Sequence, residues 1–255
     1  MGRDSDLTRE ALRQQLEADR LLGIKSVPIS PPPPRQPGAR ARVGRPVRSA
    51  TAAEQAEQLG VLDETEVKGC TQCTLSDART QTVFGQGSPS ARLVFVGEAP
   101  GYEEDRQGLA FVGRAGQLLT RMIAAMGLTR EQVFICNVLK CRPPGNRDPS
   151  AAEILACSPF LRRQLAIIEP EVLVALGAPA AKTLLNTSES IGKLRGRFHD
   201  YYLSGTTGEG PAIPLMPTYH PAYLLRNPAE KRKAWEDLQM VMRLLGLPIP
   251  GEMSG

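Results

Sequence analysis

The chain has 255 residues, long enough for one substantial α/β domain or two small ones, with 31 Lys and Arg against 27 Asp and Glu. Its start, "MGRDSDLTREALRQQ", lacks the apolar core of a secretory signal, and no apolar run approaches the roughly 18 residues of a membrane span. These features exclude a membrane-spanning reading and set the expectation of a cytoplasmic chain, where disulfides are rare, so its five cysteines point to metal or redox chemistry.

Charge is unevenly placed. Residues 1–50 hold 10 Lys and Arg against 5 Asp and Glu, and the rest of the chain holds 21 against 22. The stretch "SDLTREALRQQLEADRLLG" brings Leu7, Ala11, Leu12, Leu16, Leu21 and Leu22 close to helical spacing, which predicts a short amphipathic helix closed by Gly23. From Lys25 to Arg48 there is no acid, and "ISPPPPRQPGARARVGRP" cannot bury enough apolar surface to fold. The expected organisation is therefore a helix plus disordered basic linker over 1–50 and a folded domain over 51–255.

That domain opens with "TAAEQAEQLGVLDETEVKG", read as mainly helical, which leads to Cys70. "RLVFVG" is a short apolar run ending in Gly and predicts a buried strand. "RAGQLLTRMIAAMG" has helical periodicity. "EQVFICNVLK" predicts a second strand, "SAAEILACSPFLRRQLAIIE" a second helix, "PEVLVALG" a third strand and "APAAKTLLN" a third helix. "FHDYYLS" and "AIPLMPTYH" read as strands joined by a Gly-rich turn, before a closing helix in "NPAEKRKAWEDLQMVMRLLG". Strands alternating with helices predict a three-layer α/β/α fold around a central, mainly parallel sheet. In such sheets ligands bind outside the carboxyl ends of the strands. Those ends carry "GEAPG", "NVLKCRPPG", "LGAP" and "YHPAYLLR".

Cys70 and Cys73 form a CxxC pair, and Cys141 and Cys157 supply a second pair. Cys136 shares strand phase with Phe134 and Val138, which assigns it to the core as a small hydrophobe. Four thiolates suit zinc or an iron–sulfur cluster equally in number. The fifteen residues between Cys141 and Cys157 favour a centre that bridges two parts of the fold, with zinc left open.

The strand ends hold polar candidates. "GEAPGYEED" offers Glu98 in a Gly/Pro turn and Glu104 beyond it; it lacks the Lys-Ser/Thr of a P-loop and the third Gly of a dinucleotide turn. A carboxylate there could orient water as a general base. Asn137, at the end of a buried strand, has a donor and an acceptor on one amide. His220 sits at another strand end. Phe111 in "LAFVGRAG" reads as core or as an aromatic platform, and His199 as an ordinary strand residue.

Together "GEAPGYEEDRQGLAFVGRAGQLL", "NVLKCRPPGNRDP" and "HPAYLLR", with the four cysteines, closely resemble the family 4 uracil-DNA glycosylases, iron–sulfur members of the uracil-DNA glycosylase superfamily. The resemblance runs from Gly69 to Leu245 with the motifs in order, and leaves the basic arm outside it. It implies an enzyme, a monomer acting on uracil-containing DNA, that flips the nucleotide and hydrolyses its N-glycosidic bond. It implies a 4Fe–4S cluster on Cys70, Cys73, Cys141 and Cys157, with Cys136 not a ligand. It further implies that Gly97, Ala99, Phe111 and Asn137 bind the base, with Ala99 standing where the family often has Gly. His220 would stabilise the leaving base, and Glu98 first, Glu104 second, would position water. Tyr223, Leu224 and Leu225 would fill the vacated stack, with Arg226 near a phosphate and Arg142 and Arg147 on the DNA backbone. One related group traps the sugar covalently through a His in a loop inserted after the second strand. Here Lys140 runs straight into "CRPPGNRDP", with no insertion, so hydrolysis and release are expected. The competing readings are a four-cysteine zinc module that binds nucleic acid without catalysis, and a same-fold enzyme for another deaminated base.

Overall fold

The apolar runs meet in one six-stranded sheet of the computed structural model, which describes residues 50–204 and 208–249. The expected N-terminal helix and basic linker lie outside the described residues. The strands are β1 (Gln86–Gly87), β2 (Leu93–Gly97), β3 (Phe134–Asn137), β4 (Val172–Leu176), β5 (His199–Tyr202) and β6 (Ala212–Thr218), in the order β1-β3-β2-β4-β6-β5. β3, β2, β4 and β6 are mutually parallel, and β1 and β5 close the edges antiparallel. β2 and β4 are buried along their whole length. Both of their faces are covered by helices, which is why they read as continuous apolar runs and not as alternating ones.

Successive side chains of β2 point to opposite faces. Leu93 and Phe95 pack with α3 (Arg114–Ala125) and α8 (Lys231–Leu245) through Leu119, Ile123, Leu238 and Met242. Val94 and Val96 pack on the other face with Leu161 and Leu165 of α4 (Ala151–Ile168) and Ala180 and Ala181 of α5 (Ala178–Leu185). These two apolar layers make the α/β/α sandwich. Each fully buried Leu, Val or Phe contributes roughly 1.5–3 kcal/mol. Cys136 is fully buried in the second layer beside Phe134 and Val138, as its strand phase requires.

Helix starts follow their caps. α1 (Ala52–Leu62) begins at Thr51, whose side chain and that of Glu54 cap each other's backbone, and it runs on as a π-helical turn over Asp63–Val67 towards Cys70. α4 begins in the same way at Ser150 with Glu153. The structure adds short elements that the sequence did not announce: α2 (Tyr102–Gln107), α6 (Ile191–Leu194) and α7 (Pro221–Arg226). Each is too short for a periodic apolar signal. The second strand ends earlier than its apolar run. Beyond Asn137, the Val138 and Leu139 amides donate to the Gly97 and Glu98 carbonyls, both at 2.9 Å. Among the described residues no helix is long and apolar enough to cross a membrane.

Glu153 joins the α4 cap to the preceding loop. Its carboxylate accepts from Arg147 Nη1 and Nη2 at 2.9 and 2.6 Å and from the Ser150 amide at 2.8 Å. These contacts, the Arg147 pair first, pull its pKa down to about 2. A carboxyl with a depressed folded pKa stabilises the fold above its unfolded pKa, and that contribution is lost as pH falls towards the folded value. Thermal unfolding of the wild type should therefore lose stability between about pH 4.5 and pH 2. Glu153→Gln should be less stable at neutral pH and lose less across that window; parallel curves would count against this role.

Candidate active site and cysteine pocket

The carboxyl ends of β2 and β3 lie side by side, with Gly97 opposite Asn137. A Cβ on Gly97 would collide with Asn137 Oδ1 and the Phe111 ring, so glycine is what lets those two side chains converge over the sheet end. Asn137 is 1 % exposed, and its Oδ1 is buried with no hydrogen-bond partner. A buried acceptor left unpaired costs on the order of 1–3 kcal/mol, so this orphan is unusual for a well-packed fold.

Phe111 is buried at φ 53°, a left-handed conformation that is strained for an aromatic residue. Its turn is held from several sides. Glu104 Oε1 accepts from the Val112 and Gly113 amides, both at 2.9 Å. The Ala110 carbonyl accepts from Arg130 Nη2 at 2.7 Å and Gln86 Nε2 at 2.8 Å. Gly116 completes the turn, because a Cβ there would overlap the Phe111 carbonyl.

His220 caps the N-terminus of α7, and its ring lies 5.7 Å from that of Phe111. Nδ1 accepts from the Ala222 amide at 3.1 Å, which leaves the proton of the neutral ring on Nε2. Burial, with Arg226 adding to it, pushes the His220 pKa down to about 4, so the ring is neutral at physiological pH. Glu98 is partly buried, makes no side-chain hydrogen bond to the described residues, and has its pKa raised by burial first and Asp148 second.

Other expected residues are sorted by burial. Leu224 is 1 % exposed and packs with Leu118 and Ala234, so it belongs to the core and is corrected from a residue that enters a DNA stack. Leu225 and Tyr223 are partly exposed; Tyr223 stacks on Tyr219 with ring centroids 5.0 Å apart. Arg226 is exposed. Ala99 packs against the cluster that holds Cys141 and Cys157. Arg147 already forks onto Glu153, whereas Arg142 donates from Nε to Asn146 Oδ1 at 2.7 Å and keeps its other donors open among the described residues.

Cys70, Cys73, Cys141 and Cys157 line one pocket with Val67, Phe160, Arg79 and Lys140. All are free thiols. The Cys141 sulfur accepts from Arg79 Nη1 at 3.3 Å and the Cys157 sulfur from the Lys140 amide at 3.2 Å. Burial pushes the Cys157 thiol up to about 11 and raises that of Cys141. Among the described residues no three or more His, Cys, Asp or Glu side chains stand ready around a single ion. An all-sulfur donor set selects zinc or iron–sulfur chemistry over hard cations, so the residues fit either group.

Two supporting groups escaped the sequence reading. Lys140 is 1 % exposed, and its Nζ donates to the Asn137 carbonyl at 2.7 Å and to Gln164 Oε1 at 2.5 Å. Burial lowers its pKa. Asp237 of α8 is fully buried; it accepts from Thr218 Oγ1 at 2.7 Å and from Arg195 at 2.8 and 3.0 Å, fixing the strand end two residues before His220. The only sequence signal for Lys140 was a lysine inside the apolar run "NVLKC".

The sheet thus gathers an aromatic, an asparagine and a histidine at its carboxyl edge. The family model described as the uracil DNA glycosylase superfamily matches residues 84–239. A type-4 uracil-DNA glycosylase of Thermotoga maritima is 46 % identical over 186 residues, covering 72 % of this chain and 93 % of that protein. One of Saccharolobus solfataricus is 45 % identical over 185 residues, covering 71 % and 83 %. A type-5 uracil-DNA glycosylase of Pyrobaculum aerophilum is 30 % identical over 172 residues, covering 62 % and 72 %. The chain belongs to the uracil-DNA glycosylase superfamily and, within it, to the type-4 uracil-DNA glycosylases.

Lys140→Met would leave the Asn137 carbonyl and Gln164 Oε1 without their buried donor. Each unpaired group costs about 1–3 kcal/mol, so denaturant unfolding should show a loss of roughly 2 kcal/mol or more. Adding Gln164→Leu should not recover that loss, because it removes the Oε1 orphan but strips the Phe84 carbonyl of its donor. A single variant as stable as wild type would mean that the buried amine contributes nothing net.

Proposed function

We propose that the protein flips uracil out of DNA onto the Gly97–Phe111–Asn137–His220 site and hydrolyses its N-glycosidic bond, leaving an abasic site. The observation that carries this reading is the orphaned Asn137 Oδ1, a buried acceptor at a strand end beside a strained aromatic ring. Uracil in a duplex is out of reach, so the nucleotide must leave the stack. Phe111 covers the face of the base. Asn137 Oδ1 accepts from uracil N3–H, and the amide NH2 donates to O4. Cytosine presents the opposite pattern at both positions and is refused.

As the C1′–N1 bond breaks, its electron pair passes to the base and the sugar becomes oxocarbenium-like, as in other glycosidic cleavages. Charge collects on uracil O2, where the neutral His220 donates from Nε2. A donor of this kind is worth about 10²–10³ in rate. Water adds to C1′ and gives its proton to Glu98, whose ionised form also offsets the positive sugar. Glu98 suits this role because its carboxyl is partly buried and uncommitted; Glu104 is occupied with the two amides of the Phe111 turn. Leu225, Tyr223 and Arg226 border the vacated stack, and Arg142 meets the backbone. The residues 51–255 form the catalytic domain, and the basic residues of the 1–50 arm add sequence-independent phosphate contacts.

Cys70, Cys73, Cys141 and Cys157 would hold a 4Fe–4S cluster. When bound, it supplies a structural cross-link and no bond chemistry at the base. The all-thiol pocket supports this assignment, and so does the kinship with the type-4 enzymes.

The deciding measurement is single-turnover excision from oligonucleotides carrying one uracil or one cytosine. Asn137→Asp keeps an acceptor for N3–H but sets an acceptor against O4. At about 1–3 kcal/mol for that contact, uracil excision should fall by roughly one to two powers of ten, and discrimination against cytosine should shrink. Full uracil activity in this variant would remove Asn137 as the reader. Separately, Cys70→Ser should lose visible absorbance, bound iron and stability together, while Cys136→Ser keeps its iron. The reverse pattern would overturn the ligand set.

A further inference from the structure

The described surface carries one aromatic side chain that is more than a third exposed: Tyr102, at 52 %. It opens α2, four residues after Glu98. Two guanidinium groups lie over its ring, Arg142 at 5.1 Å and Arg106 at 5.7 Å from the centroid. Arg142 is fixed by Asn146 and follows Asn137 by five residues. Tyr102 and Arg142 therefore connect the loops that leave β2 and β3, the two strands whose ends carry Gly97 and Asn137. Neither arginine forms a salt bridge with a carboxylate among the described residues.

This arrangement makes little sense as stabilisation of the fold alone. A cation over an exposed ring is worth only about 0.5–1 kcal/mol, and two like charges at one ring repel each other. It does make sense if both cations have a polyanion to meet. An aromatic plane flanked by cations is how proteins hold a single strand, with a base on the ring and the backbone on the charges.

We propose that Tyr102, with Arg142 and Arg106, is a stacking platform for a nucleotide neighbouring the flipped one, and that it favours single-stranded over double-stranded substrate. The inference rests on the base-binding reading of the Asn137 site, since that site defines which nucleotide is the neighbour. Stacking on an exposed ring requires a base whose face is free. A single strand offers one at no cost, whereas a duplex must first unstack it.

The test uses the full-length protein and uracil-free oligonucleotides, so that binding is read apart from excision. Anisotropy titrations compare wild type with Tyr102→Ala, Tyr102→Phe and Tyr102→Trp on one sequence as single strand and as duplex. From the usual worth of one base–aromatic stack, Tyr102→Ala should weaken single-strand binding by roughly 5- to 150-fold. Duplex binding should change less, and the Phe and Trp variants should retain affinity. A 2-aminopurine beside a uracil analogue that cannot be cleaved should be quenched on binding to wild type and less so on Tyr102→Ala. With cleavable substrate, the loss should fall on KM for the single strand. Unchanged affinity and quenching in Tyr102→Ala would overturn the platform. Equal losses on both strand states would overturn the single-strand preference. If wild type fails to excise uracil while Tyr102→Ala still loses single-strand affinity, the activity reading falls and the platform stands; normal excision with normal Tyr102→Ala binding removes the platform alone.

Discussion

A buried lysine organises this molecule. Taking a polar group such as the Lys140 amine out of water is costly unless geometry and hydrogen bonds repay it, and burial lowers its pKa. Here the repayment comes from separate segments: the Asn137 carbonyl at the end of β3 and Gln164 on α4. Gln164 passes the link on to the Phe84 carbonyl at 2.9 Å, just before β1, and the Lys140 amide reaches the Cys157 sulfur. One side chain thus pins the strand end that carries the candidate base reader to the helix that carries a cysteine of the pocket. Metal-bound thiolates would be anionic, and Lys140 and Arg79 are the basic residues lining that pocket.

The site itself is held in an unfavourable local state by a favourable surround. Phe111 is strained and Asn137 Oδ1 is orphaned, and states of this kind persist only where neighbours over-determine them. The neighbours are on the page: Glu104, Arg130 and Gln86 clamp the Phe111 turn, while Gly97 and Gly116 leave the space it needs. A ligand that pairs with the asparagine and covers the ring recovers part of that stored cost. Preorganisation of this sort costs free energy at folding and spares it at binding.

The sheet was legible because strands covered on both faces must be continuously apolar, and "RLVFVG", "VFICN" and "VLVAL" are. Cys136 was legible from strand phase alone. The convergence of the site on the strand ends followed from the general geometry of parallel sheets. The failures have a common cause, in that they concern direction and not composition. Leu224 and Leu225 are neighbours of the same type, yet one turn of α7 sends the first into the core and leaves the second at the surface. The order Glu98 before Glu104 was read from sequence, but the two amides that Glu104 holds were not legible there. Lys140 read as a strand-end residue because its buried partners lie up to 24 residues away in the chain.

The shortest elements set the chemistry. α7 has six residues, too few to announce itself in sequence, yet its N-terminus dictates the tautomer of His220 by presenting the Ala222 amide to Nδ1. The same burial that makes this ring neutral makes the Glu98 carboxyl harder to ionise. The two shifts run in opposite directions for one physical reason: desolvation penalises whichever form is charged. At neutral pH the ring therefore presents an N–H from Nε2, because Nδ1 is taken by the Ala222 amide. The opposite shifts of these two titratable groups follow from where the sheet ends and how a six-residue helix begins.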